Sequence, residues 1–371
     1  MRRARAGRLK LGYFTMPLHP VGKDWRQTLA EDREAILLAE RLGFEEAFIG
    51  EHLTDLAETI TSCLIFIATL ARDTRRIRLG SGTVNLANRH PAATAAEVAM
   101  VDTLLEGRFI LGIGPGGLRS DAEMMENLDA DRTALFIEAI EHMIALWTQE
   151  PPYRLAGRKW QLSTERTWIP DLGQGAMLKP FQRPHPPIVV TAILPHSNGI
   201  AAAAERGWTP ISANFVHPWV VQTHWPKYAE GCARAGREAR SADWRVAKSI
   251  FVAEDDATVR RVTRQPGNLF AHYFRNLQRK GQATRGNAFF KHDPAVPDTA
   301  LTDEYLVSQM LIAGTVNEVV ERLLAFREQV GPFGRLLYCG HDWADPAAMR
   351  RSMELMAEEV MPRVNRALRE A

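Results

Sequence analysis

Cysteine is scarce in this chain. Its 371 residues hold three, Cys63, Cys232 and Cys339, far apart and with no CxxC pair. Such spacing offers neither a zinc knuckle nor a redox dithiol, so no metal is expected, and a scattered odd set suits a reducing cytoplasm. Long apolar runs are missing too: the longest, "CLIFIATLA" at 63–71, is too short to cross a bilayer. Neither sign of charge dominates. Lys and Arg number 46 and Asp and Glu 44, a formal +2, which is too mild to argue for nucleic acid or an anionic membrane. Part of the excess lies in "MRRARAGR" (1–8). No apolar segment follows that would make it a secretory signal, and it reads as a short disordered basic tail. No repeat or low-complexity linker divides the rest, so 9–371 is expected to form a single domain.

The remainder, 46% hydrophobic and 24% charged, has the composition of an ordinary globular protein. Short apolar runs alternate with helical periodicity along most of it. "RLKLGYF", "EEAFIG", "IRLGSGTV", "GRFILGIG", "PIVVTAIL", "WTPISAN", "DWRVAKSIFVAE" and "GRLLYCG" read as eight strands, with helical patterns between them. Strands of this kind are parallel and covered by helices, and eight such units close into a (β/α)8 TIM-like barrel. Such a barrel needs about 250 residues. The surplus falls in two stretches without helical period, 151–187 after strand 4 and 262–305 after strand 7. Both read as irregular excursions, the first with a small hairpin, on the C-terminal face where barrel enzymes build their sites.

Four strand ends carry candidate chemistry. Glu51 and His52 follow strand 2, as a titratable pair or as a loop anchor. Gly80 and Gly82 in strand 3 are a plain tight turn or allow backbone to approach a flat ligand. Strand 4 ends in "GIGPGG" around Gly114. Its spacing is not the dinucleotide fingerprint, but it remains a possible backbone nest for an anion. After strand 5, Ser197 and Asn198 precede a helix, where free N–H groups would cap or seat a phosphate. Together these suit a phosphorylated planar cofactor. Strand 8 ends in "YCGHDW", which brings His341 and Asp342 beside strand 1 and His19. His142 and His185 read as solvated surface histidines.

The runs "LGFEEAFIGEH", "RIRLGSGTV", "NRHPAATAAEVAMVDTLLEGRFILGIG", "AAAAERGW" and "GTVNEVVERLLAF" resemble the bacterial luciferase-like family of flavin-dependent monooxygenases, in family order and over nearly the whole chain. The nearest likeness is to its limonene monooxygenase-like branch. The resemblance implies a TIM-like barrel binding FMN, with His52 beside the flavin and Glu51 either at the cofactor or orienting local backbone. It implies that Gly82 and Thr83 back the ring, and Gly114 is a further cofactor-binding candidate. It also implies a phosphate held by Ser197, Asn198 and Gly199, with Arg132 helping. Three departures stand out: Pro115 where luciferase has an arginine, Leu53 in place of a second histidine, and "PHSN" for a glutamate–serine step.

The activity so implied is oxygenation of an apolar small molecule by reduced FMN and O2 through a C4a-(hydro)peroxyflavin. His52 and His341 are the candidate catalytic residues. The aromatics Trp160, Trp168, Phe270, Tyr273 and Phe274 either form a lid or pack beneath the loops. Without a nicotinamide domain, reduced flavin would come from a partner reductase. Family members pair through helices near strands 2 and 3, so a homodimer is expected. Two alternatives stand beside this reading: F420-dependent hydride transfer on the same fold, and a flavin-binding protein without turnover.

Overall fold

Strands form where apolar and β-branched residues cluster between glycine, proline and charged breaks. Eight such segments are β1 (Lys10–Thr15), β2 (Glu46–Ile49), β3 (Arg78–Ser81), β4 (Phe109–Gly114), β5 (Ile188–Ala192), β6 (Thr209–Ser212), β7 (Arg245–Ala253) and β8 (Arg335–Cys339). The computed structural model describes residues 8–370; the basic tail expected over 1–8 lies, Arg8 apart, outside them. Neighbours in the sheet follow chain order, and β6 closes onto β7. β8 runs parallel to β1 with Leu336 opposite Leu11, and parallel to β7 with Leu336 opposite Val246. The fold is the expected (β/α)8 barrel. Every residue of β2, β4 and β7 is buried, as parallel strands covered on both faces must be.

Helices follow the strands, each begun by a local signal. Asp24 accepts the Arg26 and Gln27 amides to start α1 (Trp25–Arg41). Ser62 caps α2 (Cys63–Leu70), and Pro91 opens α3 (Pro91–Leu104). Asp131 caps α4 (Arg132–Thr148), whose buried stripe includes His142, so that residue is not the solvated histidine expected. Its Nδ1 lies 2.9 Å from the Glu138 carbonyl one turn back. Further on come α5 (Asn198–Glu205) and α6 (His224–Arg234).

Two features depart from the sequence reading. Within 262–305 lies a 17-residue helix, α7 (Leu269–Arg285), capped by Asn268 on the Phe270 and Ala271 amides. Phe270, Tyr273, Phe274 and Leu277 fall at i, i+3, i+4 and i+7, a helical stripe hidden by flanking Pro and Gly. A further strand, Leu311–Thr315, pairs with β7 outside the eight and leads directly into α8 (Val316–Val330). The excursion after β4 carries an antiparallel hairpin of Arg154–Ala156 with Gln161–Ser163.

The described residues fall into two compact units. The first holds 8–47, 56–59 and 190–370, the second 48–55 and 60–189. In the first, Tyr13, Trp244, Phe251 and Tyr338 are fully buried. There Glu46, at the start of β2, receives Arg245 at 2.7 and 3.0 Å and Arg335 at 3.3 Å. In the second, Phe48, Leu79, Phe109 and Ile113 form the core. A Cβ on Gly80 would stand 2.5 Å from the Phe48 ring. Gly80 is therefore needed for strand packing. No helix among the described residues is long and apolar enough to cross a membrane.

Candidate active site

In the second unit the chain leaves β2 through Gly50 into Glu51 and His52. His52 Nδ1 lies 2.9 Å from Asp121 Oδ2. The other carboxylate oxygen of Asp121 accepts the amides of Leu53 at 3.1 Å and Thr54 at 2.9 Å and the Thr54 hydroxyl at 2.6 Å. Burial alone would push the Asp121 carboxyl up, but the donors from His52, Thr54 and Leu53 outweigh it and hold the pKa below the usual range. Asp121 is thus a buried anion that fixes the edge of His52. Sequence reasoning missed it: it sits in the short helix Arg119–Met124, 69 positions from its partner, with no motif around it.

Glu51 is turned to protein donors. Its carboxylate accepts the Cys63 amide at 3.0 Å, the Cys63 thiol at 3.1 Å, the Asn85 amide at 3.2 Å and Arg89 at 3.3 Å. Of its two expected roles, the orienting of backbone is the one these contacts serve. Burial, then the Glu51 charge, pushes the Cys63 thiol pKa well up. Beyond β3, the Gly82–Thr83 peptide is cis, and the Gly82 amide donates to the Ile49 carbonyl at 2.6 Å. A Cβ on Gly114 would stand 2.9 Å from Thr83 Oγ1, so β4 ends without a side chain to let Thr83 in. Arg132, the first residue of α4, donates to the Gly116 carbonyl at 3.1 Å. That guanidinium thus meets the loop that holds Pro115.

In the first unit, Ser197 precedes α5, and its side chain makes no cap bond to the helix. Asn198 Oδ1 accepts Lys227 Nζ at 2.9 Å. A Cβ on Gly199 would meet only Ser197 Oγ, at 3.4 Å. Lys227 also pairs with Glu230 at 2.9 Å, so the hydroxyl spared from capping and the open start of a helix are the donors that fit a phosphate.

Two of the four buried histidines of the same unit, His19 and His341, are in opposite states. His19 lies between Asp342 (2.6 Å) and Asp32 (3.4 Å). Burial works against its charge, but the two carboxylates prevail and raise its pKa to about 9. Lys23 binds Asp342 and Glu31, so an ammonium already bridges the acidic side chains there. His341, after β8, has its Nε2 3.0 Å from Ser249 Oγ on β7. Burial lowers its pKa to about 3. Phe270 and Tyr273 of α7 meet its ring edge to face, with centroids 4.8 and 4.5 Å away. These two aromatics, expected as lid or packing, are fully inside.

Residues 9–332 match the family model described as luciferase-like monooxygenase. The chain is 32% identical over 369 residues to the 4-hydroxyprotoasukamycin monooxygenase of Streptomyces nodosus subsp. asukaensis, covering 97% of this chain and 94% of that protein. With limonene 1,2-monooxygenase of Rhodococcus erythropolis it shares 29% over 361 residues, 97% of this chain and 87% of the relative. With the oxygenase component of a flavin-dependent trigonelline monooxygenase of Acinetobacter baylyi it shares 26% over 365 residues, 91% and 90% of the two chains. Among solved structures, it superposes on the oxygenating constituent of 3,6-diketocamphane monooxygenase of Pseudomonas putida, a type II Baeyer–Villiger monooxygenase in complex with FMN. The TM-score is 0.84 at 25% identity, over 96% of this chain and 98% of that one. The chain belongs to the luciferase-like monooxygenase family.

Proposed function

We propose that this chain is the oxygenating component of a two-component flavin-dependent monooxygenase. It takes reduced FMN from a partner reductase and, with O2, places one oxygen atom in an apolar small organic molecule. The observation that carries the reading is the His52–Asp121 pair at the end of β2, an imidazole held in one orientation by a buried anion. The relatives support it, being named as monooxygenases, one as an oxygenase component and one bound to FMN.

Reduced FMN, when bound, supplies the electrons that activate O2. The protein's part is to bind, orient and manage protons. In the second unit, Gly82 and Thr83 would back the ring, Gly114 leaves Thr83 its room, and Arg132 steadies the loop after β4. In the first unit, Ser197, Asn198 and Gly199, taken by themselves, would suit a phosphate. Asp121 fixes the Nδ1 edge of His52, so His52 exchanges its proton at Nε2. Glu51 is a positioning residue, keeping the segments around Cys63, Asn85 and Arg89 in place. The exposed Ile65 of α2 and Met100 and Leu104 of α3 favour the homodimer, and the three free cysteines favour the cytoplasm.

Rapid mixing of the protein and reduced FMN with aerated buffer tests the reading. A transient flavin absorbance, distinct from both reduced and oxidised FMN and longer-lived than with free flavin, is expected. NADH and FMN without a reductase should give almost no turnover. Single-phase reoxidation at the free-flavin rate, together with rapid reduction of F420, would replace this reading with hydride transfer.

A further inference from the structure

His224, at the head of α6, stands in a hydrogen-bond chain whose two ends permit one direction only. At one end Trp244 Nε1, which can only donate, reaches Ser212 Oγ at 2.9 Å. At the other, His224 Nε2 lies 3.2 Å from the Leu194 carbonyl, which can only accept. Burial lowers the His224 pKa to about 4, so near neutral pH the ring carries a single N–H. The carbonyl requires that hydrogen on Nε2. Nδ1 is then bare, and it accepts the Ser212 hydroxyl at 2.8 Å. Each donor in the chain has an acceptor, and a buried network satisfied in this way is rigid.

The chain ends on the loop between β5 and α5, and the head of α6 grips that loop at two further points. Thr223 donates its hydroxyl to the Val220 carbonyl at 2.7 Å, and its oxygen accepts the His196 amide at 2.9 Å. Lys227 Nζ reaches Asn198 Oδ1 at 2.9 Å. Residues 194, 196 and 198 are thus held, and Ser197 stands between two of them with a side chain that makes no cap bond. His196 needs the grip, because its φ of 51° is left-handed, a conformation uncommon outside glycine. A Cβ on Gly231 of α6 would stand 2.1 Å from the Ala201 carbonyl of α5. The two helices therefore meet backbone to backbone, and α6 carries the loop with little play.

For packing alone an apolar ring of the same size would serve at His224. The imidazole adds a fixed span between Ser212, the last residue of β6, and the Leu194 carbonyl. The course of that loop decides where the Ser197 hydroxyl points. We propose that His224, held as the Nε2–H form between Ser212 and Leu194, is a positioning residue for the phosphate end of the bound flavin. It acts through the Leu194 carbonyl and the loop, and it does not itself touch the cofactor. This rests on the flavin reading, with Ser197 at the phosphate, and deepens it by naming the residue that sets that seat.

The test uses the full chain and two probes, FMN and riboflavin, which differ only in the phosphate. Binding is read by quenching of flavin fluorescence, and the wild type should prefer FMN. His224→Asn places its side-chain N–H near Nδ1 and loses the grip on Leu194. It should lower FMN affinity about tenfold, the worth of one buried hydrogen bond, and leave riboflavin affinity unchanged. His224→Gln places its N–H near Nε2 and should restore most of the preference. In a Ser197→Ala background, His224→Asn should cost nothing more, because both act on one phosphate. In 15N spectra His224, assigned by its loss in His224→Asn, should show the Nε2–H form. An Nδ1–H form, equal losses for the two flavins, or losses that add in the double variant would overturn the positioning role. A wild type that prefers FMN, with a preference that His224→Asn leaves unchanged, would overturn that role alone. A wild type that binds neither flavin would overturn the flavin reading, and the phosphate role with it.

Discussion

Replacing Asp121 by Asn separates the orienting of His52 from the folding of its loop. The carboxylate serves two clients: Oδ2 faces His52 Nδ1, while Oδ1 gathers three donors from Leu53 and Thr54. An asparagine keeps one acceptor oxygen. With three loop donors on one side against one imidazole on the other, that oxygen stays with the loop and the NH2 turns to His52. Nδ1 must then accept a hydrogen bond instead of donating one, and the tautomer reverses. A hydrogen bond to a charged group contributes roughly 1.5–3 kcal/mol, so its loss in the reacting state slows the proton step about 10- to 100-fold. Stopped-flow reoxidation of reduced FMN gives the rate constants, and 15N spectra of histidine give the tautomer. Thermal stability should fall by only a few degrees, because the loop keeps its acceptor; Asp121→Ala, which strips the loop as well, should lose far more. Wild-type rates in Asp121→Asn with an unchanged His52 spectrum would refute the argument that this anion sets the histidine.

Other expectations follow from the first unit. His19 has a pKa raised from 6.5 to about 9, so its stabilisation is complete below pH 6.5 and vanishes as pH rises through 9. The loss is about 3 kcal/mol, visible as a falling denaturant midpoint that should flatten in His19→Gln. Glu46→Gln leaves Arg245 and Arg335 facing a neutral amide in a buried site. It should cost about 3–5 kcal/mol, a drop in Tm of roughly 4–6 °C for a chain of this length, read by calorimetry. Ser197→Ala should weaken FMN binding about tenfold while leaving Tm unchanged, since this hydroxyl caps nothing; equal affinity would remove Ser197 from the phosphate site.

Legibility in the sequence tracked how local the determining forces are. β7, buried along its whole length, reads as a strand because "RVAKSIFVA" needs no partner to look apolar. α2 and α3 announce themselves by a serine cap and an N1 proline. Leu311–Thr315 stayed hidden because it follows a helix and enters another with no turn residue between. As a candidate, His52 was legible from its place at a strand end, whereas its anchor was not. Asp121 lies 69 positions from His52, and Ser249 lies 92 from His341. Nothing in the spacing of these residues marks them, since the barrel closure itself brings them together.

Asp342 explains why two neighbouring histidine environments diverge. Its charge is already committed to His19 at 2.6 Å and Lys23 at 2.7 Å. Those bonds depress the carboxyl and raise His19, so the cluster stores its proton on His19 at neutral pH. His341 is adjacent in the chain, but its nitrogen bonds a serine hydroxyl, which stabilises an imidazolium far less than a carboxylate does. Burial therefore decides its state, and it remains neutral. In "CGHDW" the acid and the histidine look like a natural pair. The fold gives the acid to another histidine instead, and that division leaves His341 neutral.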